Sequence, residues 1–376
     1  MKKILLTIIC FFIGSTSFLK GKNKEKLPLP SAYVLIECRT GAVLNEHNSH
    51  ERLNVGYLSK LMSLLIIAED IDNNRYSLNT ELTATQTVLD MKGSVVWLEP
   101  GDKMTVDELL KSVIVGNAND ALAVLSDNSR GDTETFVRDM NTRAYDLGLR
   151  DTAFYSPYGF YDEREYTTAY DMAVICRELW KYDFLYPYFK IWRDFVDNEQ
   201  IELVNENTLS RTYQRHCGFK ASHSEQSGYC IAECGSSEDG TAYIAIVLGA
   251  ENEEISFGNA KQLINSGFSD YKVTDSYFPD EMIKPVKVKN GSESAVELEL
   301  INQGNIVVPR GTSKLSMVSV IPDYLEAPLS KGDKVGCAAV YNGKKLIFET
   351  DIIVKNDVEK LNFPFLLRKV LLNITE

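Results

Sequence analysis

The sequence predicts an α+β domain followed by a smaller domain made of strands alone. Three observations lead to this prediction: a helical run that is apolar almost throughout, an apolar strand that follows several amphipathic helices, and a C-terminal part with short alternating strands and turn glycines. A chain of 376 residues is also long enough for a large core and for more than one domain.

Residues 1–17 have the layout of a secretory signal peptide. Lys2 and Lys3 precede an apolar run over residues 4–14, and small residues follow it. The run is too short to span a bilayer comfortably, and Cys10 lacks the small residue that precedes a lipoprotein cysteine. We therefore expect the mature chain to be exported.

The first domain is expected to begin with a hairpin and a buried helix. Residues 31–37 and 42–46 form two short strand patterns around a turn that contains Gly41. Residues 58–67 are apolar almost without interruption, which is typical of a helix buried on most sides.

A polar junction between two helices predicts the lip of a cleft. Thr105 is a candidate N-cap for a helix over residues 106–115, and another helix starts at Ala121. The intervening Gly-Asn-Ala-Asn-Asp sequence, residues 116–120, places polar side chains where the two helices meet.

The rest of this domain is predicted to contain core helices and a central strand. One helical pattern, residues 136–147, stops at Gly148, and Thr168 with Asp171 resembles a capping box at the start of the next helix. Strand patterns follow at residues 228–233 and 243–248. The second is apolar without alternation, which indicates a strand covered by helices on both faces.

The C-terminal part is predicted to contain a linker, a β domain and an amphipathic segment. Residues 273–281 are expected to link the first domain to an all-β domain over residues 282–355. Residues 361–376 place Arg368 and Lys369 among apolar residues. This segment either lies on a membrane surface with its cations at the head groups or packs back on the β domain.

Composition excludes some partners and cofactors. A formal net charge of −13, from 40 basic and 53 acidic residues, argues against nucleic acid or an anionic surface as the main partner. No pattern of partner residues marks His47, His50 or His216 as a ligand. We therefore expect them in loops or on the surface. The sequence therefore indicates neither a metal site nor a cofactor.

The cysteines have no pattern of their own. No Cys-x-x-Cys pair occurs, so a zinc site is not expected. A disulfide and burial as apolar thiols both remain open, and burial is the simpler interpretation. Beyond Cys10 the chain has Cys38, Cys176, Cys217, Cys230, Cys234 and Cys337.

Three short polar sites stand out, and their order along the chain carries the functional prediction. They are Tyr57-Leu58-Ser59-Lys60, Asn117-Ala118-Asn119 and Lys220-Ala221-Ser222-His223. With their surroundings, including Gly93-Ser94 and residues 166–173, they resemble the serine-type D-alanyl-D-alanine carboxypeptidases. These are penicillin-binding proteins of peptidase family S11, with Ser-x-x-Lys, Ser-x-Asn and Lys-Thr-Gly motifs.

The resemblance implies a β-lactamase/transpeptidase-like domain over residues 28–272, in which helices flank an antiparallel sheet. In that family a serine attacks the carbonyl between two D-alanines and a lysine accepts its proton. Those positions fall on Tyr57 and Lys60. Tyr57 has no small hydroxymethyl group, its phenol oxygen lies further out, and its ring fills space that the substrate needs.

The second motif implies a damaged proton relay and a retained binding group. Asn117 stands where the family has a relay serine, and an amide cannot shuttle a proton at neutral pH. Asn119 matches the asparagine that holds the substrate amide. The substitution therefore affects catalysis more than binding.

The third motif implies altered substrate contacts. Lys220 is retained, Ala221 removes the threonine hydroxyl that contacts the substrate carboxylate, and Ser222 adds a side chain where the family has glycine. The backbone N–H of His223 matches the second oxyanion-hole donor, which is paired with the N–H of Tyr57.

We therefore predict a cell-envelope protein that does not hydrolyse and that binds a peptidoglycan stem peptide or a partner protein. Its expected location is the outer face of the cytoplasmic membrane or the cell wall. A competing hypothesis is an active carboxypeptidase in peptidoglycan biosynthesis that uses Ser59 or Tyr57 as the nucleophile. Ser59 is expected to face away from the cleft, because adjacent helical residues point about 100° apart. A third hypothesis is a pure scaffold, and in a fourth Tyr57 and its polar neighbours only close the old cleft.

Overall fold

The structure is a computed structural model that describes residues 27–197, 199–275, 278–301, 304–312 and 314–362. The predicted signal peptide lies outside the described residues, and so does the predicted membrane-surface segment apart from Leu361 and Asn362. In the described part of the chain no helix has both the length and the apolar character that a membrane span requires.

The first domain contains helices and strands in mixed order. Its strands are β1 (Ala32–Glu37), β2 (Val43–His47), β3 (Glu81–Thr83), β4 (Lys103–Thr105), β5 (Arg193–Val196), β6 (Ile201–Val204), β7 (His216–Gly218), β8 (Ala221–Ser224), β9 (Gly228–Ser236) and β10 (Ala242–Ala250). Its helices are α1 (Lys60–Asp72), α2 (Val106–Ile114), α3 (Asn119–Arg130), α4 (Thr133–Asp146), α5 (Ala169–Leu179), α6 (Tyr186–Lys190), α7 (Leu209–Thr212) and α8 (Glu253–Asp270).

A six-stranded antiparallel sheet organises this domain. Its order is β2-β1-β10-β9-β7, and β8 also pairs with β9. The predicted hairpin is confirmed as the β1–β2 pair. Alternate residues of β10, such as Ile244 and Ala245, belong to separate apolar cores on opposite faces, with α1 and α5 on one side and α8 on the other. This arrangement confirms the prediction of a strand covered on both faces.

Helix α1 is buried around its whole circumference, as predicted. Every residue from Lys60 to Ala68 is buried. A 3₁₀ turn over Gly56–Ser59 precedes the helix, so the turn is held at the end of an element that cannot tilt or rotate without opening the core.

The predicted helix ends are confirmed in most details. Thr105 forms a full capping box with Glu108 at the start of α2. Thr168 caps α5 by accepting the N–H of Asp171, whose carboxylate instead accepts the hydroxyl of Thr152 at 2.7 Å. The capping box predicted at Thr168 is therefore only half formed.

The C-terminal domain consists mainly of strands, as predicted. They are β11 (Tyr271–Asp275), β12 (Val286–Lys289), β13 (Ala295–Val296), β14 (Leu298–Leu300), β15 (Asn305–Pro309), β16 (Ser316–Val320), β17 (Tyr324–Glu326), β18 (Lys334–Asn342) and β19 (Lys345–Val354). They pair in the orders β11-β15, β13-β12-β17 and β14-β19-β18-β16.

The linker prediction is wrong at its start. Helix α8 ends at Asp270, and β11 begins at the next residue and pairs with β15 over its full length. Residues 273–275 thus belong to a strand of the C-terminal domain. Arg310 reinforces the junction by donating its backbone N–H to Asp270 O at 2.7 Å and its Nε to Phe268 O at 3.0 Å.

Replacing Leu65 tests the role assigned to α1. Leu65 is fully buried, so Leu65→Ala removes apolar contacts and leaves a cavity. We expect the free energy of unfolding to fall by about 2–5 kcal/mol in chemical denaturation. The control Leu89→Ala changes a side chain that is 64% exposed, and we expect an effect within about 0.5 kcal/mol. Equal effects of the two substitutions would contradict the central position of α1.

Candidate functional site

The fold brings the three predicted sites together at the N-terminal end of α1. The 3₁₀ turn contributes Tyr57, the α2–α3 junction contributes Asn117 and Asn119, and β8 with the residue before it contributes Lys220 and Ser222. Direct hydrogen bonds join the turn to β8 and α1 to the junction. Residues from widely separated parts of the sequence therefore line one site.

The Tyr57 side chain crosses the cleft. Its ring centroid lies 5.0 Å from the Nζ of Lys60. On the far side, a Cβ atom added to Gly93 would lie 3.5 Å from the Tyr57 hydroxyl and 3.3 Å from Asn119 Nδ2. The phenol group thus reaches the loop at Gly93 and occupies the space between this loop and α1.

The Ser222 side chain occupies the backbone N–H of Tyr57. The backbone N–H of Tyr57 donates a hydrogen bond to Ser222 Oγ at 2.9 Å. By the family resemblance this N–H is an oxyanion-hole donor, and glycine is the expected residue at position 222. The serine hydroxyl therefore takes the place where a developing oxyanion would bind.

Lys60 is fully buried against the α2–α3 junction. Its Nζ donates to Asn117 O at 2.5 Å and to Asn117 Oδ1 at 2.9 Å. Burial and the neighbouring Lys220 hold the pKa of Lys60 well below its usual range. Asn117 has a φ of +58°, a left-handed conformation that asparagine tolerates better than most residues. In this conformation the backbone and side-chain oxygens of Asn117 both accept hydrogen bonds from Lys60 Nζ.

Lys220 is buried at the C-terminal end of α2. Its Nζ donates to Val113 O and Ile114 O, both at 3.0 Å. These carbonyls are at the end of the helix, where a cation is favoured. Burial lowers the pKa of Lys220 to about 8, and Glu206 opposes this shift.

Asn119 retains one unused hydrogen-bonding atom. Its side chain is buried at the start of α3, and its Nδ2 donates to Lys92 O. Its Oδ1 has no hydrogen-bond partner within the described part of the chain. A buried acceptor without a donor is costly, so an N–H that reached this atom would stabilise it.

The other two residues of the third motif contribute less. Ala221 is buried and offers no hydroxyl. The His223 side chain is exposed and stacks on Tyr229, with ring centroids 4.0 Å apart. The role that the resemblance implies for the backbone N–H of His223 stays a prediction.

Ser59 is not placed to attack a ligand. It is fully buried, and its hydroxyl donates to Glu165 Oε1 at 2.6 Å and to Gly56 O at 2.7 Å. The expectation that it faces away from the cleft agrees with this geometry. Glu165 was not identified from the sequence. Burial raises its pKa, and it also accepts the N–H groups of Tyr155 and Ser156.

The prediction for His216 is wrong. The ring is buried on β7, with Nδ1 2.8 Å from Glu233 Oε1 and Nε2 3.0 Å from Phe189 O. Burial disfavours the charged form, but Glu233 outweighs it and the pKa of His216 is raised. The sequence could have indicated this pairing, because Glu233 lies within an apolar strand pattern and a buried carboxylate requires a partner.

The described residues contain no group of three or more His, Cys, Asp or Glu side chains arranged to hold a metal ion. The polar groups at the site are the two lysine amines, the side-chain amides of Asn117 and Asn119 and the Tyr57 phenol. Two desolvated amines and an unused amide oxygen suit a ligand that carries a carboxylate and an N–H.

Known proteins share both domains of this chain. A family model described as D-alanyl-D-alanine carboxypeptidase matches residues 27–252, and one described as penicillin-binding protein 5, C-terminal domain, matches residues 271–360. The chain is 29% identical to D-alanyl-D-alanine carboxypeptidase DacF of Bacillus subtilis, covering 99% of this chain and 97% of that protein. It is also 29% identical to DacC of Escherichia coli, covering 94% and 90%.

A solved structure has the same fold. Penicillin-binding protein 5 of Haemophilus influenzae superposes with a TM-score of 0.82 at 23% identity, covering 90% of this chain and all of that one. Its match extends over the helix-and-sheet domain and the β domain, which confirms the predicted fold class. By the family model and the full-length relatives, this chain belongs to the D-alanyl-D-alanine carboxypeptidase family.

Proposed function

We propose that this protein is a non-hydrolysing member of its family that binds peptidoglycan stem peptides in the cell envelope. The observation that carries the proposal is the Tyr57 ring, which lies 5.0 Å from Lys60 Nζ at the positions where the family resemblance implies a serine nucleophile and its base. Export and contact of residues 361–376 with a membrane surface belong to the same proposal.

The contacts around Tyr57 support the loss of acyl transfer. A serine nucleophile presents a small hydroxymethyl group, whereas the Tyr57 hydroxyl extends to the Gly93 loop. Ser222 occupies the neighbouring N–H, and Asn117 gives Lys60 two carbonyl oxygens in place of a hydroxyl that could pass on a proton. Attack, oxyanion stabilisation and proton relay are therefore all impaired.

Other contacts support retained binding. The unused Oδ1 of Asn119 would accept a peptide N–H, and the buried ammonium of Lys220 would attract a terminal carboxylate. The Tyr57 ring, by contrast, narrows the cleft. This contact favours the alternative in which the polar side chains keep the cleft closed and a partner protein binds to another surface of the chain. Binding experiments separate these two states.

The first test combines labelling with binding. We expect no covalent adduct with a fluorescent penicillin and no D-alanine released from a peptide ending in D-Ala-D-Ala. The same peptide should give a saturable signal in calorimetry. Covalent labelling or released D-alanine would overturn the non-hydrolysing assignment, and Tyr57→Ala and Ser59→Ala variants would then identify the nucleophile. An absent binding signal would overturn stem-peptide binding and favour a protein partner, to be sought by crosslinking in the native envelope.

The second test restores the missing groups one at a time. Tyr57→Ser returns a hydroxymethyl group beside Lys60 but leaves Ser222 on the N–H of residue 57. Adding Ser222→Gly frees this donor, so penicillin should acylate the double variant about 10²–10³-fold faster than Tyr57→Ser alone.

Ser224 provides the matched control for this experiment. It lies two residues further along β8, and its hydroxyl pairs with Ser227 instead of Tyr57. Ser224→Gly added to Tyr57→Ser should therefore leave the acylation rate near that of the single variant. Equal acceleration by both glycine substitutions would show that Ser222 does not block the oxyanion site.

The third test uses the titration of Lys220. Its pKa of about 8 means that the amine is charged below this pH and neutral above it. Peptide affinity should therefore fall at least about tenfold between about pH 6.5 and about pH 9.5, as the carboxylate loses its cation. Calorimetry at the two pH values measures the change. The Lys220→Met variant should bind weakly with a much flatter pH profile, and an unchanged profile would contradict the assigned role.

A further inference from the structure

Four cysteines come together at one end of the central sheet, although they are far apart in the sequence. Cys38 follows β1, Cys176 lies on α5, Cys217 on β7 and Cys234 on β9. All four are buried free thiols. Cys38 lies within hydrogen-bonding contact of Cys234 and is also close to Cys176. We call this group the thiol cluster.

Within the thiol cluster, Cys217 and Cys234 are placed as a cross-strand pair. His216 is in register with Gly235 and Gly218 with Cys234, so Cys217 lies in a register shift of β7 directly beside Cys234. The Sγ of Cys217 lies 3.0 Å from the Sγ of Cys234. Disulfide sulfurs are about 2.05 Å apart, so an approach of about 1 Å would join the two side chains.

Burial determines when such a bond can form. Thiolates, not thiols, attack disulfides, and burial raises the pKa of both Cys38 and Cys234. Reaction is therefore slow once the sheet is closed. The bond would therefore have to form during folding, before this end of the sheet is covered.

We propose that Cys217 and Cys234 form an intramolecular disulfide when the chain folds in an oxidising compartment. In this step the two thiols exchange with a disulfide oxidant. The S–S bond of the oxidant breaks, the Cys217–Cys234 bond forms, and two electrons and two protons pass to the oxidant, which leaves as two thiols. Cys38 and Cys176 remain reduced beside the new bond.

The disulfide would strengthen the strand that leads into the site. Cys217 lies three positions before Lys220, and the bond closes a loop between residues 17 positions apart. This loop contains β8, which carries Ser222. A cross-link between the ends of this loop reduces the conformational freedom of the unfolded chain. It also holds the start of β8 close to β9. The inference is independent of whether the cleft binds a ligand.

The test is refolding of the full, reduced and denatured chain in a glutathione redox buffer, followed by alkylation and digestion without reductant. Trypsin cleaves after Lys220, and a glutamate-specific protease cleaves after Glu233, so the peptides of Cys217, Cys230 and Cys234 separate. Mass spectrometry should find the Cys217 peptide linked to the Cys234 peptide. Full alkylation of both cysteines, or a bond between Cys38 and Cys234, would overturn the proposal.

Thermal unfolding gives a second readout. Reductant should lower the melting temperature of the oxidised protein by about 6 °C, because it opens the loop in the unfolded state. Cys217→Ala should abolish this sensitivity. Cys230→Ala is the matched control, since Cys230 is buried on the same strand but contacts Ser227 O and Gly249 N. It should keep the wild-type response. A melting temperature of the oxidised wild type that reductant does not change would also overturn the proposal, whether or not the variants fold.

Discussion

The enclosure of α1 by apolar side chains on every side is the constraint on which the site depends. Because the helix cannot shift, Lys60 and the preceding 3₁₀ turn keep their positions relative to the α2–α3 junction and β8. The altered residues accordingly leave the frame in place. Ser222 and the loop at Gly93 make contact with Tyr57. The loss of acyl transfer that we propose would therefore leave the geometry of the site in place.

Two buried lysines remain in this preserved frame. Each is held by backbone carbonyls at the end of α2 or at the junction that follows it. Desolvation of two amines costs free energy, which the carbonyl contacts offset only in part. If these residues only closed the cleft, apolar side chains at the two lysine positions would make the protein more stable. Their presence supports a site that meets an anionic ligand.

Local patterns in the sequence predicted most of the fold. The apolar run over residues 58–67 predicted the buried helix, Thr105 and Glu108 lie where a helix start was expected, and the continuous apolar character of β10 predicted its cover on both faces. The three short motifs also named the residues that meet at the cleft, because family positions could be carried over one by one.

Contacts between distant segments could not be predicted in this way. The pairing of His216 with Glu233 and the meeting of Cys217 with Cys234 depend on the register of β7 against β9, which no local pattern specifies. Residues 273–275 of strand β11 were taken for linker because the partner strand β15 lies far along the chain. The bond from the Tyr57 N–H to Ser222 Oγ likewise depends on a rotamer and a backbone approach. Propensity and periodicity contain no information on either.

The direct passage from α8 into β11 has a mechanical consequence. Helix α8 continues directly into β11, and Arg310 bonds to the end of α8, so the β domain is tied to the first domain at this junction. Tyr271 adds a second tie, since its hydroxyl donates to Leu44 O at 3.1 Å on the edge strand β2 of the first domain. An attachment through residues 361–376, as we propose, would therefore act on the first domain through this junction.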